Sequence, residues 1–293
     1  MPAYLRRLAV LIAVGAAPLA AQPLMTARDL LALPQPAPDT TIWYGTDSLE
    51  FGELFRAQGV AKAPVVVLIH GGCWLASFDR RHIRGLAAAI AAEGIAVWSL
   101  EYRRVGNPGG GWPGSFDDIA LGTDYVRHLA AAFDLDTSRV VVARHSAGGH
   151  LALWIGARAK HTTTALRPRA ILALAAVPDL TETKADGTPV CGDAIARLMG
   201  GTPTDRPDRY RDASPSQRLP LGLDQVVLTG TRDPIVPPEF SRTYAARAKT
   251  LGDRIRLVEA KDAGHFELVA PATAAGREVI ATLHALMSNL RPE

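Results

Sequence analysis

Ser146 is the residue whose surroundings say most about chemistry. It follows Val140-Val141-Val142-Ala143-Arg144-His145 and precedes Ala147-Gly148-Gly149-His150, which opens an apolar, helix-compatible stretch. A strand that ends in serine and turns at once into a helix makes a nucleophile elbow, whose tight bend lifts the serine Oγ to the carboxyl edge of a sheet. The consensus for that turn is G-x-S-x-G, and here Arg144 stands where the first glycine would be. Short serine–glycine strings arise by chance, so the motif gains weight only from partners elsewhere in the chain.

Such partners are present. Pro64-Val65-Val66-Val67-Leu68-Ile69 is a continuous apolar run of the kind that forms a strand buried on both faces, and it ends in His70-Gly71-Gly72-Cys73-Trp74. Glycines just past a strand let the backbone turn its amides into a site, where they would stabilise an oxyanion. The candidate donors are the N–H groups of Gly72 or Cys73, with that of Ala147. Further on, the strand-like Gln225–Gly230 leads into Thr231-Arg232-Asp233-Pro234, and Arg254–Glu259 leads into Asp262-Ala263-Gly264-His265-Phe266. His265 Nε2 would take the proton of Ser146, while Asp233 would hold Nδ1–H and stabilise the imidazolium that forms. Each residue has a plainer reading: Asp233-Pro234 can start a turn, and one histidine of eight is most often a surface or capping residue. The chain order Ser, Asp, His, each at a strand end, is what joins them into a set.

The chain resembles the α/β-hydrolases of the esterase/lipase group, and more narrowly their kynurenine formamidase-like and small carboxylesterase branch, on its H-G-G-x-W loop at His70–Trp74. The likeness runs from about Trp43 to the C-terminus and takes in Glu101-Tyr102-Arg103-Arg104 after Ile95–Leu100, and Gly264-His265-Phe266. It implies a mostly parallel, doubly wound sheet with helices on both faces, and an acyl-enzyme formed on Ser146 from a small ester or amide. Carboxylic ester cleavage ranks first and formamide cleavage second, because an export signal argues against the intracellular setting of the formamidases. Neither a clustered His/Cys ligand set nor a dinucleotide fingerprint occurs, so no metal or organic cofactor is implied. Arg144 is the departure from the family pattern. A side chain there crowds the strand–helix packing, so it would either snorkel outward along its apolar stem or shift the elbow. On that ground a catalytically weakened binding protein on the same fold is the competing reading.

The elements that must position these residues alternate strand and helix, which argues for one α/β domain. Arg80 to Glu93, Ser115 to Phe133, Leu151 to Lys160, Pro238 to Leu251 and Thr273 to Leu290 read as helices, and 48% hydrophobic residues suffice for a buried sheet. Between Ala170–Ala176, read as the sixth strand, and Gln225 lies a segment of about 178–223. It is too long for a simple connection, and is expected to form a cap over the site with one short helix, Asp193 to Met199. A decorated loop is its plainer alternative. Trp74, Trp112 and Trp154 suit either pocket or core.

The first 21 residues read as a signal peptide: Arg6 and Arg7, an apolar stretch from Leu8 to Val14, then small residues up to a cut after Ala20 or Ala21. An uncleaved anchor is the alternative, although the apolar core is short for a membrane span. The protein is therefore expected in the periplasm or outside the cell, with no stable membrane insertion after cleavage. Removing the two arginines leaves 30 basic residues against 29 acidic ones, and no basic stripe suggests a nucleic-acid partner. Cys73 and Cys191 are the only cysteines. An oxidising compartment favours pairing them, the alternative being two unrelated buried thiols.

Overall fold

The computed structural model describes residues 22–289, so the expected signal peptide lies outside the described residues. The chain opens with α1 (Ala27–Leu31), followed by β1 (Thr40–Trp43), β2 (Phe51–Phe55) and β3 (Ala63–Ile69). Next come α2 (Arg84–Ala92), β4 (Ala96–Leu100), α3 (Gly114–Asp124), α4 (Val126–Phe133), β5 (Leu135–His145), α5 (Ala147–Ala159) and β6 (Ala170–Leu174). The last part holds α6 (Ala194–Met199), α7 (Pro207–Ala213), β7 (Asp224–Gly230), α8 (Pro238–Thr250), β8 (Ile255–Ala260) and α9 (Ala274–Asn289).

The eight strands form one sheet in the order β1-β2-β4-β3-β5-β6-β7-β8. Only the pairings of β2, with β1 and with β4, are antiparallel; from β4 to β8 every pair is parallel. The run that read as a doubly buried strand is so: β3 is buried along its whole length, as are β4 and β6. This is the α/β-hydrolase fold. Its parallel strands point their carboxyl ends to one edge, and Ser146, Asp233 and His265 all leave from that edge.

Three local expectations change. The helix expected over Ser115–Phe133 is broken at Tyr125, because the Trp98 indole donates to the Gly122 carbonyl at 2.9 Å, the acceptor a continuous helix would offer Val126. The first crossover begins as a 3-10 turn, Arg80–Ile83, capped by the Asp79 side chain, before α2 takes over. The 178–223 segment carries two helices rather than one, and α7 starts at Pro207, where proline's missing N–H costs nothing. The segment packs against the helical layer: Trp112 N–H donates to Leu198 O at 2.7 Å, and His150 Nε2–H donates to Ala213 O at 2.8 Å.

Candidate active site

The elbow is built by the end of β5 and the start of α5. Ser146 sits between them at φ 58° and ψ −124°, a strained conformation for a non-glycine residue, pinned by its N–H donating to Leu174 O at 2.8 Å. The turn is possible only because its neighbours are small. A Cβ at Gly71 would stand 2.9 Å from the Ser146 Cβ, and one at Gly148 would stand 2.5 Å from Ile69 O. The H-G-G loop and the elbow therefore touch backbone to backbone. Ala147 follows Ser146 as the first residue of α5, where helix amides lack intrahelical acceptors. Gly72, Cys73 and Trp74 all take positive φ, at 105°, 52° and 57°, so the loop folds back on itself beside Ser146.

Asp233 lies beyond β7 and His265 beyond β8. His265 Nδ1 donates to Asp233 Oδ2 at 2.7 Å, and both residues are buried. The other carboxylate oxygen accepts the N–H groups of Ile235 at 2.8 Å and Val236 at 2.9 Å. The turn expected at Asp233-Pro234 thus exists, and it serves to aim the carboxylate. Ser146, His265, Gly72 and Cys73 all line a single cavity of about 220 Å³.

Sequence reasoning missed several neighbours. His145, beside the serine, presents its ring 4.4 Å from that of His265, and its Nε2–H donates to His265 O at 3.0 Å. Burial pushes the His145 pKa well down, and the neighbouring His265 and His82 add to that, so it stays a neutral brace for the histidine loop. Beneath the H-G-G loop lies a buried ionic cluster. His70 Nδ1 meets Gly71 O at 2.7 Å and its Nε2 meets Glu101 Oε1 at 3.0 Å, while Arg104 bonds the same carboxylate at 2.6 Å and Phe78 O at 2.6 Å. Burial works to raise the Glu101 pKa, but His70 and Arg104 outweigh it and hold the group at about 2. The sequence traces of this cluster were His70, read only as the start of the H-G-G loop, and the Glu101–Arg104 segment.

Other assignments move. The 178–223 segment contributes no wall to the cavity that holds Ser146. Part of that wall comes instead from Ala27, Leu30 and Leu31 of α1. The segment reaches the site through Cys191, whose sulfur is bonded to that of Cys73 with the Cα atoms 5.7 Å apart. Trp74 is wholly buried, Trp112 and Trp154 pack on the core, and none of the three lines the cavity.

Arg144 neither snorkels nor displaces the turn. Its side chain is fully buried, none of its guanidinium nitrogens has a hydrogen-bond partner among the described residues, and it does not line the cavity, whereas His145 does. Successive strand residues face opposite sides of a sheet, which turns the arginine to the face opposite that of His145. Burial pushes its pKa well down, against the opposing pull of Tyr102 and Tyr44.

Comparison with known proteins agrees with this geometry. The BD-FAE family model matches residues 54–247, which hold the H-G-G loop, the elbow and Asp233. The chain belongs to the BD-FAE family. This BD-FAE member falls within the esterase/lipase group of α/β-hydrolases. It is 28% identical to esterase LipC of Mycobacterium tuberculosis, the match covering 82% of this chain and 67% of LipC. It is 26% identical to esterase LipQ of the same organism, covering 82% of this chain and 62% of LipQ. Among solved structures, a truncated carbohydrate esterase from gut microbiota shares the fold with a TM-score of 0.74 at 19% identity, covering 86% of this chain and 98% of that one. A bacterial heroin esterase gives 0.70 at 24% identity, covering 83% and 80%.

Proposed function

We propose that this carboxylesterase-like hydrolase cleaves small carboxylic esters through a Ser146–His265–Asp233 triad and an acyl-enzyme. Ser146 Oγ attacks the ester carbonyl as His265 Nε2 takes its proton. The tetrahedral oxyanion is held by the Ala147 amide with that of Gly72 or Cys73, and His265 returns the proton to the departing alcohol. Water activated by the same histidine then releases the acid. The observation that carries this reading is the 2.7 Å Asp233–His265 contact at the edge of the cavity that Ser146 also lines. The esterase names of LipC and LipQ support an ester as the substrate.

Export to the periplasm or beyond belongs to the same proposal, supported by the Arg6-Arg7 and apolar N-terminal pattern and by a disulfide, a bond favoured in oxidising compartments. N-terminal sequencing of periplasmic protein should begin at Ala21 or Gln22.

A fluorophosphonate probe followed by peptide mapping tests the nucleophile. Label on Ser146 is expected, with Ser146→Ala losing on the order of 10⁶ in kcat while remaining folded. An inert parent protein would instead fit the binding-protein reading. Parallel assays on short p-nitrophenyl esters and N-formylkynurenine test the substrate class, and a higher kcat/KM on the formamide would reverse it.

A further inference from the structure

The stretch of residues 22–33 does more than cover the fold. Leu24 lies against the loop that carries His265, so that a Cβ on Gly264 would stand 3.2 Å from a Leu24 methyl. One carboxylate joins the two. Glu267 Oε1 accepts the Met25 N–H at 2.6 Å and Oε2 accepts the Gly264 N–H at 3.1 Å. From this anchor the chain turns into α1, closed at its start by a Thr26–Asp29 capping box. Leu30 then packs inward at 4% exposure, while Leu31 stays 51% exposed at the cavity rim. Across the cavity stand Phe78, Ile235 and Phe266.

We infer that residues 22–33 form the substrate lid of the enzyme, that Leu30 and Leu31 set its selectivity, and that Glu267 is the positioning residue that holds the lid to the histidine loop. The ligand class is an ester whose buried part is short-chain alkyl or a single ring. At roughly 30 Å³ for each water-sized group, a space of about 220 Å³ accommodates about seven such groups, below the roughly 300–1,000 Å³ usual for ligand pockets. Among the described residues the wall carries one charged pair, Asp79 with Arg81 at 2.8 Å, which is mutually neutralised and gives no preference for a charged substrate. The sharing of one carboxylate also links lid and catalysis, because the amide that Glu267 holds belongs to the residue before His265.

This inference rests on the ester-hydrolase reading, so its test includes the fluorophosphonate label as a separate readout. Leu31 is exposed enough to be changed without threatening the fold. Leu31→Ala and Leu31→Trp are compared with the parent on p-nitrophenyl acetate, butyrate and octanoate. The octanoate-to-acetate ratio of kcat/KM is expected to rise about tenfold in the alanine variant and to fall by a similar factor in the tryptophan variant, the discrimination that one or two methylenes carry in an apolar pocket. Glu267→Gln keeps the shape but offers only one acceptor oxygen. Its KM should rise several-fold while kcat changes less, and hydrogen exchange at Met25 and Gly264 should quicken. Unchanged selectivity in both Leu31 variants, with Ser146 still labelled, would overturn the lid and leave the hydrolase intact. Loss of the label in the parent protein would overturn the hydrolase itself. A Glu267→Gln protein with parental KM and parental exchange at Met25 would remove the clamp.

Discussion

The Asp233 carboxylate divides its work between His265 and its own turn. Oδ2 takes the imidazole Nδ1–H at 2.7 Å while Oδ1 holds the backbone amides of Ile235 and Val236. With one oxygen tied to the main chain, the other cannot swing, and the histidine is presented in a single tautomer with Nε2 free.

Asp233→Asn should therefore keep the turn and lose the tautomer. The amide oxygen can replace Oδ1 toward Ile235 and Val236, which leaves an NH₂ facing Nδ1. A fall in kcat on the order of 10⁴ is expected, with a thermal midpoint close to the parent. Steady-state kinetics and a melt check it; a variant within tenfold of the parent rate would take Asp233 out of the mechanism.

Arg144 tests the cost of a buried cation. Its guanidinium has no hydrogen-bond partner among the described residues, and even a paired buried charge is often replaced by apolar groups of similar volume neutrally or with a gain of about 1–4 kcal/mol. Arg144→Met should raise the melting temperature by several degrees. Arg144→Gly should be less stable than Arg144→Met, because it leaves a cavity and puts glycine in a strand. The position does not line the cavity, so kcat should change little in the methionine variant. A methionine variant that melts well below the parent would show that the cation is compensated.

Cys73 stands in the loop proposed to hold the oxyanion, and its bond to Cys191 closes a sequence separation of 118 residues. The chain-entropy model gives a cross-link of that span roughly 4–5 kcal/mol. Reduction, or Cys191→Ser, should lower both the melting temperature and kcat, since the constraint is lost beside Gly72 and Ala147. Ellman titration of unfolded, unreduced protein should find no free thiol; two would end the pairing.

His150 predicts part of the acid sensitivity. It is wholly buried, its Nε2–H donates to Ala213 O, and its pKa is lowered from 6.5 to about 4, chiefly by burial. Above pH 6.5 both folded and unfolded forms are neutral and nothing is lost. As pH falls from 6.5 toward 4 the unfolded chain takes up the proton first, so stability declines, by roughly 3 kcal/mol at 1.36 kcal/mol per pH unit. Denaturant titrations at pH 7.5 and pH 4.5 should show a smaller drop for His150→Gln, whose amide can still donate to Ala213. An equal drop in both proteins would clear His150 of that role.

What the sequence by itself determined is local. A β-branched run that ends in Ser146, an apolar run that ends in His70-Gly71-Gly72, and two more runs that end near Asp233 and His265 each identify a strand end from a few adjacent residues. Parallel strands bring such ends to one edge whatever lies between them. The fold and the candidate triad were legible for that reason.

What the tertiary structure decided is where distant surfaces meet. Part of the cavity wall comes from α1 and none of it from the 178–223 segment, and the lid is held by a bond from Met25 to Glu267 across 242 residues. A carboxylate at position 267 carries no local mark of that partner. Arg144 reads as a surface-seeking side chain in any linear pattern, yet strand alternation turns it beneath the helices, where packing leaves it no route to water. Local propensity speaks for backbone form, while long-range contacts depend on which faces the folded sheet happens to join.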